Sequence, residues 1–309
     1  MMIVDGYGMD LSQNTKEKIR LLSQLRYRAL ENLFYTIKDE SYAVIKGEVL
    51  SLLAYRCIGS RLSSDIDILI PREKLKLCEN ALMLDGFTSK ITSREDRILM
   101  LSHSHQVSPW IKLFGSRKYE VMVDLNFDLF LGEYQGKKID IKSFLSDTVE
   151  VDIYGIKVKT LTPIKNMIQL ILHHYKEMNS IYHLASHNCI NISMFKDVYW
   201  LWKNNQSDIS LEKLFAYGTE YGINEFIFYI LYYTNLLFQD LTLNEYVETF
   251  RSKKGERLLD TYGLAEKERK QWKCDFKHRL EAESKLDLIK NDLTKEDTKK
   301  LENNIRLFG

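Results

Sequence analysis

What this 309-residue chain has little of narrows it first. It has three prolines and 14 glycines, too few for a collagen-like or low-complexity protein. Its four cysteines (Cys57, Cys78, Cys189, Cys274) form no CxxC pair and keep no regular spacing. That argues against a disulfide scaffold and suits free thiols in a reducing cytoplasm. Neither sign of charge dominates: 44 basic residues against 43 acidic ones leave a net charge of +1. The chain as a whole therefore carries no nucleic-acid or membrane-surface signature. The start, MMIVDGYGMDLSQNTKEK, lacks the basic-then-apolar pattern of a signal peptide. The most apolar run, FIFYILYYTNLLF (226–238), is too short to span a bilayer and is interrupted by Thr234 and Asn235; it reads as a buried core helix. The expectation is a soluble, cytoplasmic protein with no membrane partner.

What is present is an ordinary globular pattern, with 45% hydrophobic residues and length enough for one large domain or two ordinary ones. Residues 11–38 carry apolar positions at helical spacing. YAVIKG reads as a short buried strand ending at Gly47, EVLSLLAYR as a helix, and DIDILIP as a strand closed by Pro71. REKLKLCENALMLDGF reads as a helix with Gly86 as its C-terminal cap. Residues 109–130 read as a hairpin turning near Gly115-Ser116, and TVEVDIYGIKVKTL as another turning at Tyr154-Gly155. Thr162-Pro163 then opens a helix, and the chain beyond it is mostly helical in character. The predicted fold is α+β: a small mixed-sheet domain with a helical lead-in over 1–160, then a helical domain over 161–309.

The unusual element is DIDILI. On a strand, side chains alternate, so Asp65 and Asp67 share one face while Ile66, Ile68 and Ile70 share the other. The two carboxylates are then roughly 7 Å apart along the strand. If buried without a partner, one of them is driven to protonate; a divalent cation with oxygen ligands removes the conflict. A strand edge facing water is the alternative. Two neighbours bear on the choice. In VIKGEVL, Gly47 stands at a strand-to-helix turn where backbone N–H groups can meet phosphate. In YEVMVDLNF, Val121, Val123 and Leu125 share one face and Asp124 takes the other, a third carboxylate for a two-metal phosphoryl-transfer site.

The series KGEVL, RLSSDIDILI and VDLNF resembles the DNA polymerase β-type nucleotidyltransferase superfamily, in particular bacterial nucleotidyltransferase-family proteins and abortive-infection toxin nucleotidyltransferases. Lys46-Gly47 matches the Lys-Gly at the turn. Arg61-Leu62-Ser63-Ser64-Asp65-Ile66-Asp67-Ile68 matches the string Arg-x-Ser-x-Asp-h-Asp-h, where h is apolar. FKDVYWLW (195–202) is similar to a helical-domain segment of such proteins. The resemblance implies Mg²⁺ held by Asp65, Asp67 and Asp124 and an NTP as substrate. It also implies a hydroxyl acceptor on a small molecule, peptide or protein. Asp124 would help deprotonate that acceptor. Lys46, Gly47, Arg61, Ser63 and Lys196 become the nucleotide-binding candidates. Glu48 departs from the Gly-Ser or Gly-Gly turn of many members: it suits a helix N-terminus but would repel phosphate there.

Two alternatives remain at this level: a toxin-like enzyme acting on tRNA, and a nucleotide-binding protein without turnover. Nucleic acid is not the favoured partner. In the tail, Lys253, Lys254, Arg257, Lys267, Arg269 and Lys270 alternate with Glu256, Asp260, Glu266 and Glu268, which reads as a solvated helix face. His183 and His187 (i, i+4) with Cys189 fit a zinc pattern poorly, for want of a fourth ligand. His173 or His174 reads as a core or interdomain histidine; the resemblance, whose members carry histidine in that helix, implies a site role as the alternative. The aromatics sit at helical spacing and read as core.

Overall fold

A computed structural model of the chain describes residues 13–61, 63–90, 93–116, 118–130, 137–186 and 189–308. His187 lies outside them. The lead-in forms two helices, α1 (Gln13–Ala29) and α2 (Glu31–Ile37). The short strand β1 (Ala43–Ile45) runs into α3 (Gly47–Tyr55), and the chain returns along β2 (Asp65–Leu69). A single 3-10 turn after Pro71 leads to α4 (Leu75–Leu84), closed by Gly86 at φ +80°. Two residues of β3 (Thr88–Ser89) precede α5 (Arg94–His103).

Apolar periodicity does not announce α5, because REDRILMLSH buries only Met100. End effects support it instead. The Ser93 hydroxyl accepts from Asp96 N–H, and Glu95 and Asp96 occupy the first turn. The hairpin comes next as β4 (Trp110–Phe114) and β5 (Tyr119–Asn126), then a four-residue helix α6 (Ile141–Phe144) and the pair β6 (Val149–Ile153) and β7 (Ile156–Thr160). Tyr154 and Gly155 both have positive φ, 56° and 81°, as a tight two-residue hairpin turn requires.

The seven strands form one mixed sheet in the order β3-β4-β5-β2-β1-β7-β6. β2 is antiparallel to β1 and parallel to β5, with Asp67 opposite Asp124. Alternation gives the sheet two different faces. Val44, Ile66, Ile68, Val121, Val123 and Leu125 join the α1, α2 and α4 side chains in one core. Ala43, Ile45 and Leu69 join the other, which continues into the helices after β7. The second face is therefore apolar on β1 and at Leu69, and carries Asp65, Asp67, Asp124 and Asn126 across β2 and β5.

Those helices begin with α7 (Pro163–Asn179), α8 (Ile181–Ser186) and α9 (Ile192–Lys203). They continue with α10 (Leu211–Glu220), α11 (Asn224–Phe238) and α12 (Leu241–Phe250). Phe226 through Leu231 of α11 are all buried, each such side chain contributing about 1.5–3 kcal/mol. The apolar run is thus the centre of a helical core. Beyond it, a two-stranded ladder pairs Thr261–Tyr262 with Lys270–Gln271, and the helix Lys295–Phe308 ends the described chain. Two lysines of the tail are engaged in ion pairs, Lys254 with Glu225 and Lys270 with Asp297. Among the described residues, no helix is long and apolar enough to cross a membrane.

Candidate active site

The site begins at the β1–α3 turn. Lys46 adopts φ 58°, ψ −147°, a region that L-residues avoid, and Gly47 comes next at φ +41°. Such strain costs on the order of 1–3 kcal/mol and persists only where the surroundings enforce it. Here it turns the Lys46 ammonium onto Asp67, with Nζ 2.7 Å from Oδ1. Gly47 is needed for its backbone, since φ +41° strains any L side chain, while a Cβ there would meet Ser63 Oγ at an ordinary 3.4 Å. Glu48, the residue at odds with a phosphate turn, is buried and accepts a hydrogen bond from Gly59 N–H at 2.8 Å. Its carboxylate braces the loop before β2 and does not line the adjoining cleft.

The next loop and strand carry the carboxylates. Ser63 is organised twice over. Its carbonyl accepts from the Arg26 guanidinium of α1, and its hydroxyl donates to Asp65 O at 2.9 Å. Asp67 and Asp124 are buried neighbours on adjacent strands, and Asn126 Nδ2 donates to Asp67 Oδ1 at 3.2 Å. Among the described residues, Asp124 Oδ1 has no hydrogen-bond partner. Burial, reinforced by the charges of Asp67 and Asp65, pushes the Asp124 carboxyl up to about 8. Burial raises Asp67 as well, although Lys46 and Asn126 work against it. For Lys46, the Asp67 and Asp65 charges outweigh burial and hold the ammonium above the ordinary lysine range.

A cleft of about 1050 Å³ opens on this group. Lys46, Arg61, Ser63, Asp65, Asp67 and Asp124 line it, so the structure brings most of the sequence candidates together. Gly47 sits just behind, in a small hollow shared with Ser63 and Asp65. Arg61 reaches the cleft, but its Nε donates to Asp197 Oδ2 at 2.7 Å, and Tyr55 OH donates to the other oxygen at 2.7 Å. Lys196, next to Asp197 on α9, is not part of the cleft wall.

The opposite wall holds residues that the sequence reading did not select as site residues. Lys176 of α7 is buried, and its Nζ lies 3.1 Å from His105 Nε2. Burial, then the Lys46 charge, lowers the Lys176 ammonium to about 8. Burial and the same lysines hold His105 well below its usual range. His173 and Glu177 line the cleft beside them, as do residues of the C-terminal helix. One signal for this wall was legible: HHYKE is a compact polar group in the otherwise apolar helix MIQLILHHYKEM.

Three acidic side chains with oxygen donors, one of them holding an unpartnered buried atom, fit a hard divalent cation. A bound dication would reverse the repulsion that raises Asp67 and Asp124.

Of the comparisons with known proteins, the family model agrees with this chemistry, at the level of family. Residues 11–239 match the family model described as uncharacterised nucleotidyltransferase. No curated protein matches. A solved structure, an antigenic nucleotidyltransferase-like protein from Paracoccidioides brasiliensis, is similar at 16% identity. It covers 74% of this chain and 99% of its own, with a TM-score of 0.33, a likeness too loose to bear on fold or function. The family match takes in the strained turn, all three carboxylates and the Lys176 wall, and by it the chain belongs to the uncharacterised nucleotidyltransferase family.

Proposed function

We propose that the protein transfers a nucleoside monophosphate from an NTP to a hydroxyl acceptor and releases pyrophosphate. The observation that carries this is the face-sharing set Asp65, Asp67 and Asp124, with an unpartnered Asp124 oxygen, opening on a cleft large enough for two substrates. Mg²⁺ held by these three residues would neutralise charge on the phosphates and on the leaving pyrophosphate. In this reading Lys46 and Lys176 approach the triphosphate from opposite walls, as compact cations do for phosphate oxygens. Arg61, Ser63 and the Gly47 turn are further phosphate contacts, and Lys196 a more distant one.

Asp124, on the cleft wall, would take the acceptor proton, so that the acceptor oxygen bonds to the α-phosphorus as the bond to the β-phosphate oxygen breaks. The sheet unit, to about residue 160, supplies the carboxylates, and the helical unit after it supplies the cationic wall. The acceptor is a small molecule, peptide or protein. The charge balance and the ion-paired tail lysines do not favour RNA.

The test is calorimetric titration of ATP, CTP, GTP and UTP, each with and without Mg²⁺, on wild type and on Asp65→Ala/Asp67→Ala. Metal-dependent binding of an NTP that the double variant loses is the expected result. Folded wild type that binds none of the four would sink the reading.

A further inference from the structure

The polar group on α7 has a geometry of its own. His173 and Glu177 are one helical turn apart at i, i+4, and His174 and Glu177 at i, i+3, so both imidazoles meet one carboxylate. His173 Nε2 lies 3.3 Å from Glu177 Oε1, and His174 Nδ1 lies 3.5 Å from Glu177 Oε2. One donor atom from each residue falls within 4.8 Å of the others.

Those spacings are informative. A charge-assisted N–H···O contact closes to about 2.7–2.9 Å. Two ligands on one tetrahedral zinc, with bonds of about 2.0–2.1 Å, stand roughly 3.4 Å apart. Both contacts are long for an ion pair and close to that edge length, and they run to the two different oxygens of Glu177, so a shared ion would be reached by a small turn of the carboxylate. The donor types agree. Two imidazoles and a carboxylate suit zinc-class ions rather than Mg²⁺, which takes oxygen ligands and stays with the aspartates. Lys46 and Lys176 act against a cation here, and the Glu177 carboxylate acts for it. The competing account is that Glu177 only accepts a hydrogen bond from each histidine.

We propose that His173, His174 and Glu177 hold a zinc-class divalent cation on the helical wall of the cleft. Its fourth position opens to the cleft, because His173 and Glu177 line it while His174 is buried behind them. Three protein ligands and one open position are the arrangement of a zinc that meets substrate, not of a closed structural site. The cleft would then carry two metals of different hardness on facing walls, one for phosphate oxygens and one for water or an anionic or hydroxyl group of the second substrate. The proposal stands apart from nucleotide binding and is tested without nucleotide.

Untagged protein would be stripped with a chelator and titrated with Co²⁺, following its visible d–d bands, then with Zn²⁺ against a chromophoric chelator. With excess Mg²⁺ present to occupy the aspartate site, one equivalent should bind. Loss of an outer-shell partner already costs metal sites about ten- to a hundredfold in affinity, so Glu177→Gln and His174→Ala should each cost at least about a hundredfold. Asp65→Asn/Asp67→Asn should bind as wild type does. Glu177→Gln is isosteric and partly exposed, so it remains readable if His174→Ala fails to fold. Absence of the cobalt bands in folded wild type, equal binding by Glu177→Gln, or binding lost only in the aspartate variant would each overturn the proposal.

Discussion

Two buried carboxylates, Asp197 and Asp124, both stand where the helices meet the sheet, and they are treated in opposite ways. Asp197 is saturated, with Tyr55 OH on one oxygen and Arg61 Nε on the other, both at 2.7 Å. It joins α3 and the loop before β2 to α9. Asp124 has an oxygen with no partner among the described residues, two acidic neighbours and a carboxyl pushed up to about 8. A buried charge whose partners are complete is a fastening. A buried charge left incomplete costs stability until something arrives to complete it. The difference distinguishes the two acids more sharply than burial does, since both are less than a tenth exposed.

The strongest way to break this contrast is to remove the incomplete acid. Asp124→Asn should abolish nucleotidyl transfer, by on the order of 10³-fold or more, as loss of a charge-stabilising group in such sites does. It should leave the melting temperature at or above that of wild type. Activity would be followed by pyrophosphate release, and a variant with near-normal turnover would remove Asp124 from the chemistry.

Asp197→Ala should do the reverse. It strands Arg61 and the Tyr55 hydroxyl and should cost about 3–5 kcal/mol, read as a fall in the denaturation midpoint. Mg²⁺-dependent NTP binding should survive wherever the variant is folded. A loss below about 1 kcal/mol would show the pair to be surface-like after all.

The next effect is a pH signature. The Asp124 pKa is about 8 in the folded chain against an ordinary 3.8, so between those values the folded state binds more protons than the unfolded one. Its contribution is intact below about pH 4 and is lost as pH rises toward 8. His105 and His173, held neutral by burial, act in the opposite direction below the ordinary histidine value of 6.5. The readout is therefore the difference between wild type and Asp124→Asn. Metal-free wild type should lose stability relative to the variant from pH 5 to 8, and Mg²⁺ should restore it most at the alkaline end. A difference that is flat with pH would mean the carboxyl is solvated and ordinary.

The smallest expected effect separates two lysines. Lys176→Met should weaken Mg²⁺–NTP binding by about tenfold, near 1.4 kcal/mol, while Lys196→Met should change it by less than about threefold. Equal effects in calorimetry would return Lys196 to the triphosphate and weaken the case for the α7 wall.

Legibility in the sequence tracked the range of the interaction. DIDILI, VMVDLNF and the Tyr154-Gly155 turn were readable because alternation and turn chemistry act over a few residues. The parallel pairing that sets Asp67 opposite Asp124 joins segments more than fifty positions apart, and only the aligned aspartates hinted at it. Glu48 was misleading for the same reason: its partner, Gly59 N–H, lies beyond the helix it begins. Arg61 reads as a phosphate ligand from its neighbours in sequence, but the partner of its Nε, Asp197, lies 136 positions away and is visible only in space. α5 escaped because a helix defined by its cap and first-turn charges leaves little periodic trace.

By itself the sequence determined the strand faces, the three aspartates, the Lys46-Gly47 turn as a place of interest and the helical second half. Each is set by backbone stereochemistry or apolar periodicity within one element. Tertiary structure alone decided which charges are completed and which are left open. It paired Arg61 with Asp197, carried Lys176, His173 and Glu177 of α7 to the wall facing the carboxylates, and left one oxygen of Asp124 without a partner among the described residues. Whether a charge is satisfied depends on distance in space and on the exclusion of water, and neither is a property of neighbours along the chain.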